Sequence, residues 1–505
     1  MKYIVAIILM SMLGTSCANF LKEYSQDQAY IRSYEDLDEL LIGETYMETA
    51  FGNTDACYFP YIHLMADETK ENMESDEVSQ PDYAQPTKKY IGYVTWQYRV
   101  GYAVDQLTAT EEDTYWNKIY KHINIANMIL DEIDKQKVER DKDILNVARI
   151  RGEAYFLRAA YYFILANLYC QPYVPESASA TLGIPVKTSY YIEDISFPRG
   201  TLADVYKQIV TDLEKAAENL AGISRESIFR AGIAAVRLLQ SRVYLYMQNW
   251  EKAAEYAQLC LDLQDELVDL NTFGESDVFA KADSPEVIFS MGGNNIPNLV
   301  TNLFAGVSVS DGLQKCFKNG DLRSKYFIVY EKKGVPAWDC NKYSLQGSGV
   351  NAEVSECCLF RTAEAWLNLA EALANQGDDE NARKALDELR KHRIKRGNFT
   401  QTNLKGENLV LEIRDERRRE LCFEGQRWFD LRRYTVCEKV PFTGSIRNTY
   451  SALFNADKIS SVSTYELMAG DPSWTLQIPY EVLQFEELEP NPRKERVPVS
   501  VESVR

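Results

Sequence analysis

Histidine is scarce in this chain, with three in 505 residues. A Cys/His zinc site needs four ligands at set spacings, and no CxxC pair supplies them either. Positive charge is also short: 56 Lys and Arg face 75 Asp and Glu, a formal net charge of −19. Tracking a polyphosphate backbone takes concentrated cations, so the balance argues against nucleic acid. No apolar run reaches the roughly 20 residues that cross a bilayer. Catalytic signatures are missing as well: there is no HExxH, no GxSxG and no Walker loop. Gly347-Ser348-Gly349 lacks the strand–turn–helix setting of a nucleophile elbow. His63, near Asp67 and Glu68, reads as structural. No cofactor and no metal are expected, and the chain reads as a non-enzyme.

What is present begins with a leader. Lys2 is followed by an apolar stretch over 4–13, then by small Gly14, Thr15 and Ser16, and then by Cys17. Residues 1–16 therefore read as a signal peptide. Cys17 is placed to become a lipidated N-terminus, although Leu13 stands four residues before it where three is usual. Nine other cysteines cannot all pair with one another, and most read as small buried apolar residues.

Helical periodicity dominates in blocks: 33–43, 115–133, 144–169, 202–220, 228–247, 250–263, 359–375, 378–392 and 407–424. Two pairs repeat one pattern, over 241–263 and 367–389. Each has small residues where antiparallel helices must touch: Ser241 with Ala253, and Ala370 with Ala382. The pattern resembles the tetratricopeptide (TPR) helix–turn–helix unit. The pairs are far apart in sequence, so insertions are expected to interrupt the superhelix. Stretches 60–110, 172–200, 267–350 and 436–505 are rich in Gly, Pro, Asn, Ser and aromatics and lack a helical period. They read as an irregular lobe, with short strands over 287–291 and 326–330. Long unstructured stretches in a globular chain are usually functional. The fold expected is all-α: a TPR-like scaffold of about four helix pairs carrying a loop-rich lobe, the lobe that the resemblance named below implies to be ligand-binding. Residues 17–265 form its N-terminal region and 266–505 its C-terminal region.

One run invites a polyanion reading: RDERRRELCFEGQRWFDLRR, 414–433. On a helix, Asp415 and Glu416 face Arg419, and Arg417 faces Glu420; Glu424 precedes Arg427 by three. These charges can pair internally, so the run reads as a packed element.

The pieces together resemble the SusD/RagB family of outer-membrane nutrient-binding lipoproteins. The resemblance rests on CANFL at 17–21, YWNKIYKHINIANMIL from 115, GEAYFLRAAYYFILANLY from 152, RTAEAWLNLAEALANQGD from 361, ERRRELCFEGQRWFDLRR from 416, and WTLQIPYEVLQFEELEPNPR from 474. It covers essentially the whole chain. It implies a lipid-anchored, surface-exposed protein of the outer membrane that binds oligosaccharide or polysaccharide. It also implies a partner, a SusC-like TonB-dependent transporter. A peptide-binding RagB-like role and a TPR protein–protein adaptor of the cell envelope are the alternatives. Sugar sites set aromatic faces beside Asn, Asp and Arg. The insertions offer Trp96, Tyr98 and Tyr93, with Asp67 before them, then Asn294 and Asn295, then Trp338 and Tyr343. If the segment around Trp96 is extended, Trp96 and Tyr98 share one face. Palmitate labelling tests the anchor: the wild type is expected to incorporate label, and Cys17→Ala to incorporate none.

Overall fold

The computed structural model describes residues 31–48, 58–71, 88–110, 113–191, 196–274, 277–294, 296–300, 307–331, 337–343, 354–455 and 458–504. The leader and Cys17 lie outside them. Among the described residues, ten helices carry the fold, with shorter helical turns between them: α1 Tyr34–Leu40, α2 Tyr115–Glu132, α3 Asp141–Tyr169, α4 Leu202–Leu220, α5 Ile233–Tyr246, α6 Trp250–Leu261, α7 Thr362–Gln376, α8 Asp379–Lys391, α9 Gly406–Glu420 and α10 Arg427–Thr435.

Local chemistry sets the ends of these helices. Thr201 caps α4, where its Oγ1 accepts from the Asp204 backbone N–H at 3.1 Å. Asn249 caps α6 and Asp378 caps α8, each accepting an N–H three residues on at 3.2 Å. Gly377 closes α7 at φ +90°, in the left-handed region. Helix α3 is buried on nearly all sides from Ile150 to Tyr169, so it forms the centre of the molecule.

Consecutive helices stack on one another from α2 to α8, and α9 also packs on α7. Ser241 Oγ donates to the Ala253 carbonyl at 2.9 Å, and Ala253, Ala370 and Ala382 are fully buried. The small residues therefore lie where the repeat pattern put them. Although a long insertion separates them in sequence, α6 packs directly on α7.

The all-α expectation needs correction in the insertions. Strands β1 Thr69–Glu71 and β3 Val307–Val309 pair; so do β2 Val287–Ser290 with β6 Leu359–Arg361, and β4 Ile328–Glu331 with β5 Ala337–Cys340. The tail, expected to be irregular, forms a three-stranded antiparallel sheet. It comprises β7 Ser445–Asn455, β8 Lys458–Met468 and β9 Ser500–Ser503. The signal was an alternation of period two. Ile446 and Asn448 point inward around exposed Arg447, and Tyr465 and Leu467 point inward around Glu466.

The arginine run is internal. Helix α9 and the turn after it carry Glu416, Glu420 and Glu424, all buried. Glu420 accepts from Arg323 at 3.1 Å, Arg361 at 3.1 Å and Arg393 at 2.9 Å. Burial pushes its carboxyl pKa up, but the three guanidiniums outweigh that and hold it well below the usual range. Glu286 joins Arg361 and Arg393 at 2.5 Å each. Glu424 binds Arg361 and Lys342. Among the local pairs expected from helix spacing, Glu416–Arg419 forms at 2.7 Å. Arg417 instead reaches Asp430 at 3.3 Å and Glu371 at 3.6 Å. Tertiary partners win because the helix is enclosed and its carboxylates need several donors each. Among the described residues, eight cysteines stand outside any disulfide and six of them are buried.

Glu420→Gln leaves three guanidiniums short of a counter-charge. It is expected to cost about 3–5 kcal/mol in urea unfolding. Lys384→Ala, which breaks the exposed pair with Glu380, should change stability by less than about 1 kcal/mol.

Candidate functional site

Three insertions converge on one concavity. Strand β1 pairs with β3 in the register Thr69↔Val309 to Glu71↔Val307. Strand β7 packs against β1, and β5 packs against β3. Between β1 and β7 lies a groove of about 200 Å³. Thr69, Lys70 and Glu71 line one wall and Arg447, Asn448 and Thr449 the other, with Leu64, Val94 and Val307 supplying apolar surface. The Asn448 side-chain amide donates to the carbonyls of Leu64 and Val94, at 3.0 Å each. A single side chain thus fixes the groove floor to its wall.

The electrostatics of the groove are mixed. Lys70 Nζ pairs with Asp311 at 2.8 Å, and Arg447 Nε pairs with Glu466 at 2.9 Å. Ser451 Oγ donates to Glu71 at 2.7 Å, yet burial pushes the Glu71 carboxyl up to about 7. The walls can therefore donate to and accept from a hydroxyl-rich ligand while the apolar surface contacts its C–H face. On the neighbouring hairpin, Tyr330 faces Trp338 across the ladder. Their ring centroids are 5.5 Å apart at 51°, and Tyr330 is 46% exposed.

A second concavity, of about 350 Å³, lies between α2 and the helical turn Tyr480–Glu486. It is larger and more aromatic, with Trp116, Tyr120, Phe197 and Phe485 in its lining. Lys187 Nζ, on its rim, is engaged by the Tyr191 carbonyl at 2.6 Å. The smaller groove has polar groups on two facing walls and is the better match to a polyhydroxylated ligand.

The residues singled out from sequence separate into different roles. Trp96 is 1% exposed, and its Nε1 donates to the Met65 carbonyl at 3.1 Å. Tyr93 is fully buried and stacks on Tyr61 at 4.1 Å. The extended segment expected there is a helical turn, Ile91–Val94, and Trp96 follows at φ +52°. Gly92 permits this fold-back, since a Cβ would collide with the carbonyl oxygens of Val100 and Tyr102. Trp96 and Tyr93 are thus corrected from stacking platforms to core residues. Tyr98 is 37% exposed.

Asp67 is also corrected. It forms a two-pronged pair with Arg427 at 2.7 and 3.0 Å and meets Arg418 at 3.0 Å. Burial raises its pKa, but the arginines outweigh that and hold it at about 2. Tyr343, 1% exposed, donates to the Phe423 carbonyl at 2.7 Å, so it too is structural. Asn294 braces its own loop: it donates to the Val354 carbonyl at 2.9 Å and accepts from the Ile296 N–H at 3.0 Å. Asn295 lies outside the described residues. Trp338 is half-buried on the hairpin beside the groove.

Comparison with known proteins bears on this arrangement. The SusD-like family profile described as "Starch-binding associating with outer membrane" matches residues 48–245. The profile described as "SusD family" matches 317–491. The chain belongs to the SusD family. A SusD-like protein of Formosa agariphila is 23% identical over 384 residues, covering 64% of this chain and 72% of that one. The crystal structure of a putative sugar-binding protein from Bacteroides vulgatus superposes with TM-score 0.68 at 20% identity, covering 92% of this chain and 99% of that one. A structure titled as a laminarin-binding SusD-like protein gives 0.63 at 20%, covering 91% and 98%.

In this SusD-family chain the sequence reading missed Lys70, Glu71, Tyr330, Arg447 and Thr449. Lys70 and Glu71 lie on β1, Tyr330 on β4, and Arg447 and Thr449 on the eleven-residue β7. Tyr330 falls in a stretch expected to be a strand, whereas the other four fall in segments read as irregular.

Burial raises the Glu71 pKa to about 7, and burial raises Glu68 to about 7 as well. A carboxyl raised on folding favours the folded state below its unfolded pKa, and that benefit is lost as pH rises through the folded one. Stability is therefore expected to fall between about pH 5 and pH 8. Glu71→Gln should shrink that fall in pH-dependent urea titrations, leaving the share that Glu68 contributes.

Proposed function

We propose that this protein binds an oligosaccharide or polysaccharide at the cell surface and delivers it to a SusC-like TonB-dependent transporter. One observation carries the reading: three insertions converge on a polar groove beside an open aromatic pair, in a family whose profile is described as starch-binding. The Tyr330–Trp338 edge supplies a stacking surface, while Lys70, Glu71, Arg447 and Thr449 direct hydrogen bonds at hydroxyls. Tyr98, half-exposed, is a peripheral contact. A lipid on Cys17 holds the body at the outer membrane. The helical stack acts as a TPR-like scaffold whose outer face meets the transporter. The role is capture and transfer, without chemistry on the ligand.

A glycan array followed by calorimetry tests this. Tyr330→Ala and Trp338→Ala are each expected to weaken binding by about 1 kcal/mol, roughly fivefold. Phe485→Ala, in the second concavity, should leave affinity unchanged. Binding of peptides with no polysaccharide bound would replace the glycan reading with the RagB-like one.

A further inference from the structure

We infer that the glycan taken by this groove is anionic, carrying carboxylate or sulfate groups; the inference rests on the glycan reading above. The chain is acidic overall, at −19, and yet the two walls of the groove each present a cation. Lys70 stands on β1 and Arg447 on β7. Lys70 and Arg447 line the groove itself, whereas their partners Asp311 and Glu466 lie outside its lining.

Arg447 is 65% exposed and, among the described residues, is held through its Nε alone. The remaining edge of a guanidinium suits a planar carboxylate or a sulfate oxygen pair. The single acid in the lining is Glu71. Burial holds it near neutrality at about 7, so it repels an incoming anion less than an ordinary glutamate would. In its protonated form it can donate to a carboxylate oxygen. A neutral glycan needs none of this, since Thr, Asn and backbone groups serve hydroxyls without importing two cations.

The surrounding negative charge sharpens the inference. It repels polyanions in general, so anion binding here must be local rather than a diffuse surface effect. Specificity then comes from the spacing of the two cations, and affinity depends on salt because both are partly exposed.

Calorimetry on the full mature chain with polygalacturonate, chondroitin sulfate, laminarin and dextran tests the inference. At least one acidic polymer is expected to bind more tightly than both neutral ones. Its affinity should fall between about 0.05 and about 0.5 M NaCl. Lys70→Gln and Arg447→Gln should each weaken it roughly tenfold with unchanged melting temperature. Polygalacturonate carries carboxylates alone and chondroitin sulfate carries carboxylates and sulfates, so binding of polygalacturonate identifies carboxylate recognition and binding of chondroitin sulfate alone identifies a need for sulfate. Equal or tighter binding of laminarin or dextran, indifferent to both substitutions, overturns the inference. If that neutral binding is lost in Trp338→Ala, the glycan reading stands without it. Binding of none of the four polymers overturns this inference for the classes named, and a peptide-only ligand on the array removes the glycan reading with it.

Discussion

Glu420 is the residue on which the architecture turns. One carboxylate, fully buried, accepts from Arg323, Arg361 and Arg393. These arginines come from distant parts of the chain. Arg323 belongs to the long insertion, Arg361 ends β6 just before α7, and Arg393 follows α8. Glu286, beside β2, closes the set. A buried ion pair costs desolvation that its Coulomb attraction only partly returns, so such networks are poor sources of net stability. Their value here is geometric. Charges this enclosed admit one arrangement, and that arrangement fixes the insertion against the helical stack.

Asp67 extends the same logic to the groove. Arg427 and Arg418 grip it from the arginine run, and β1 begins two residues later at Thr69. The wall that carries Lys70 and Glu71 is therefore tied to the scaffold through a charged strut. Asn448 ties the opposite wall to the floor. The groove is framed by rigid connections, which lowers the ordering cost of binding.

The helices were legible because their signals are local. Thr201 with Asp204, Asn249, and Gly377 with Asp378 each mark a boundary through bonds within four residues. The small residues Ser241 and Ala253 likewise declared their contact. The arginine run was legible as an internal element, but not its partners: Arg417 ignores the glutamate three residues along and pairs across the fold. The groove was nearly illegible. Aromatic residues in loops drew attention to Trp96 and Tyr93, which the backbone turns inward, while Lys70 and Arg447 look like any surface cation in one dimension. Only the packing of β7 against β1, across more than three hundred positions, brings those walls together. Trp338 was singled out as an aromatic residue in an insertion, and it stands on the hairpin beside the groove.

The arginine run is internal framework, and the proposed ligand contacts lie on the strands of the insertions instead. Hydrogen–deuterium exchange, with and without a saturating polysaccharide taken from the array, tests it most directly. The account predicts new protection at β1, β3, the β4–β5 hairpin and the start of β7, with α9 and α10 unchanged. Protection concentrated on α9 and α10, with none at β1 or β7, would contradict it.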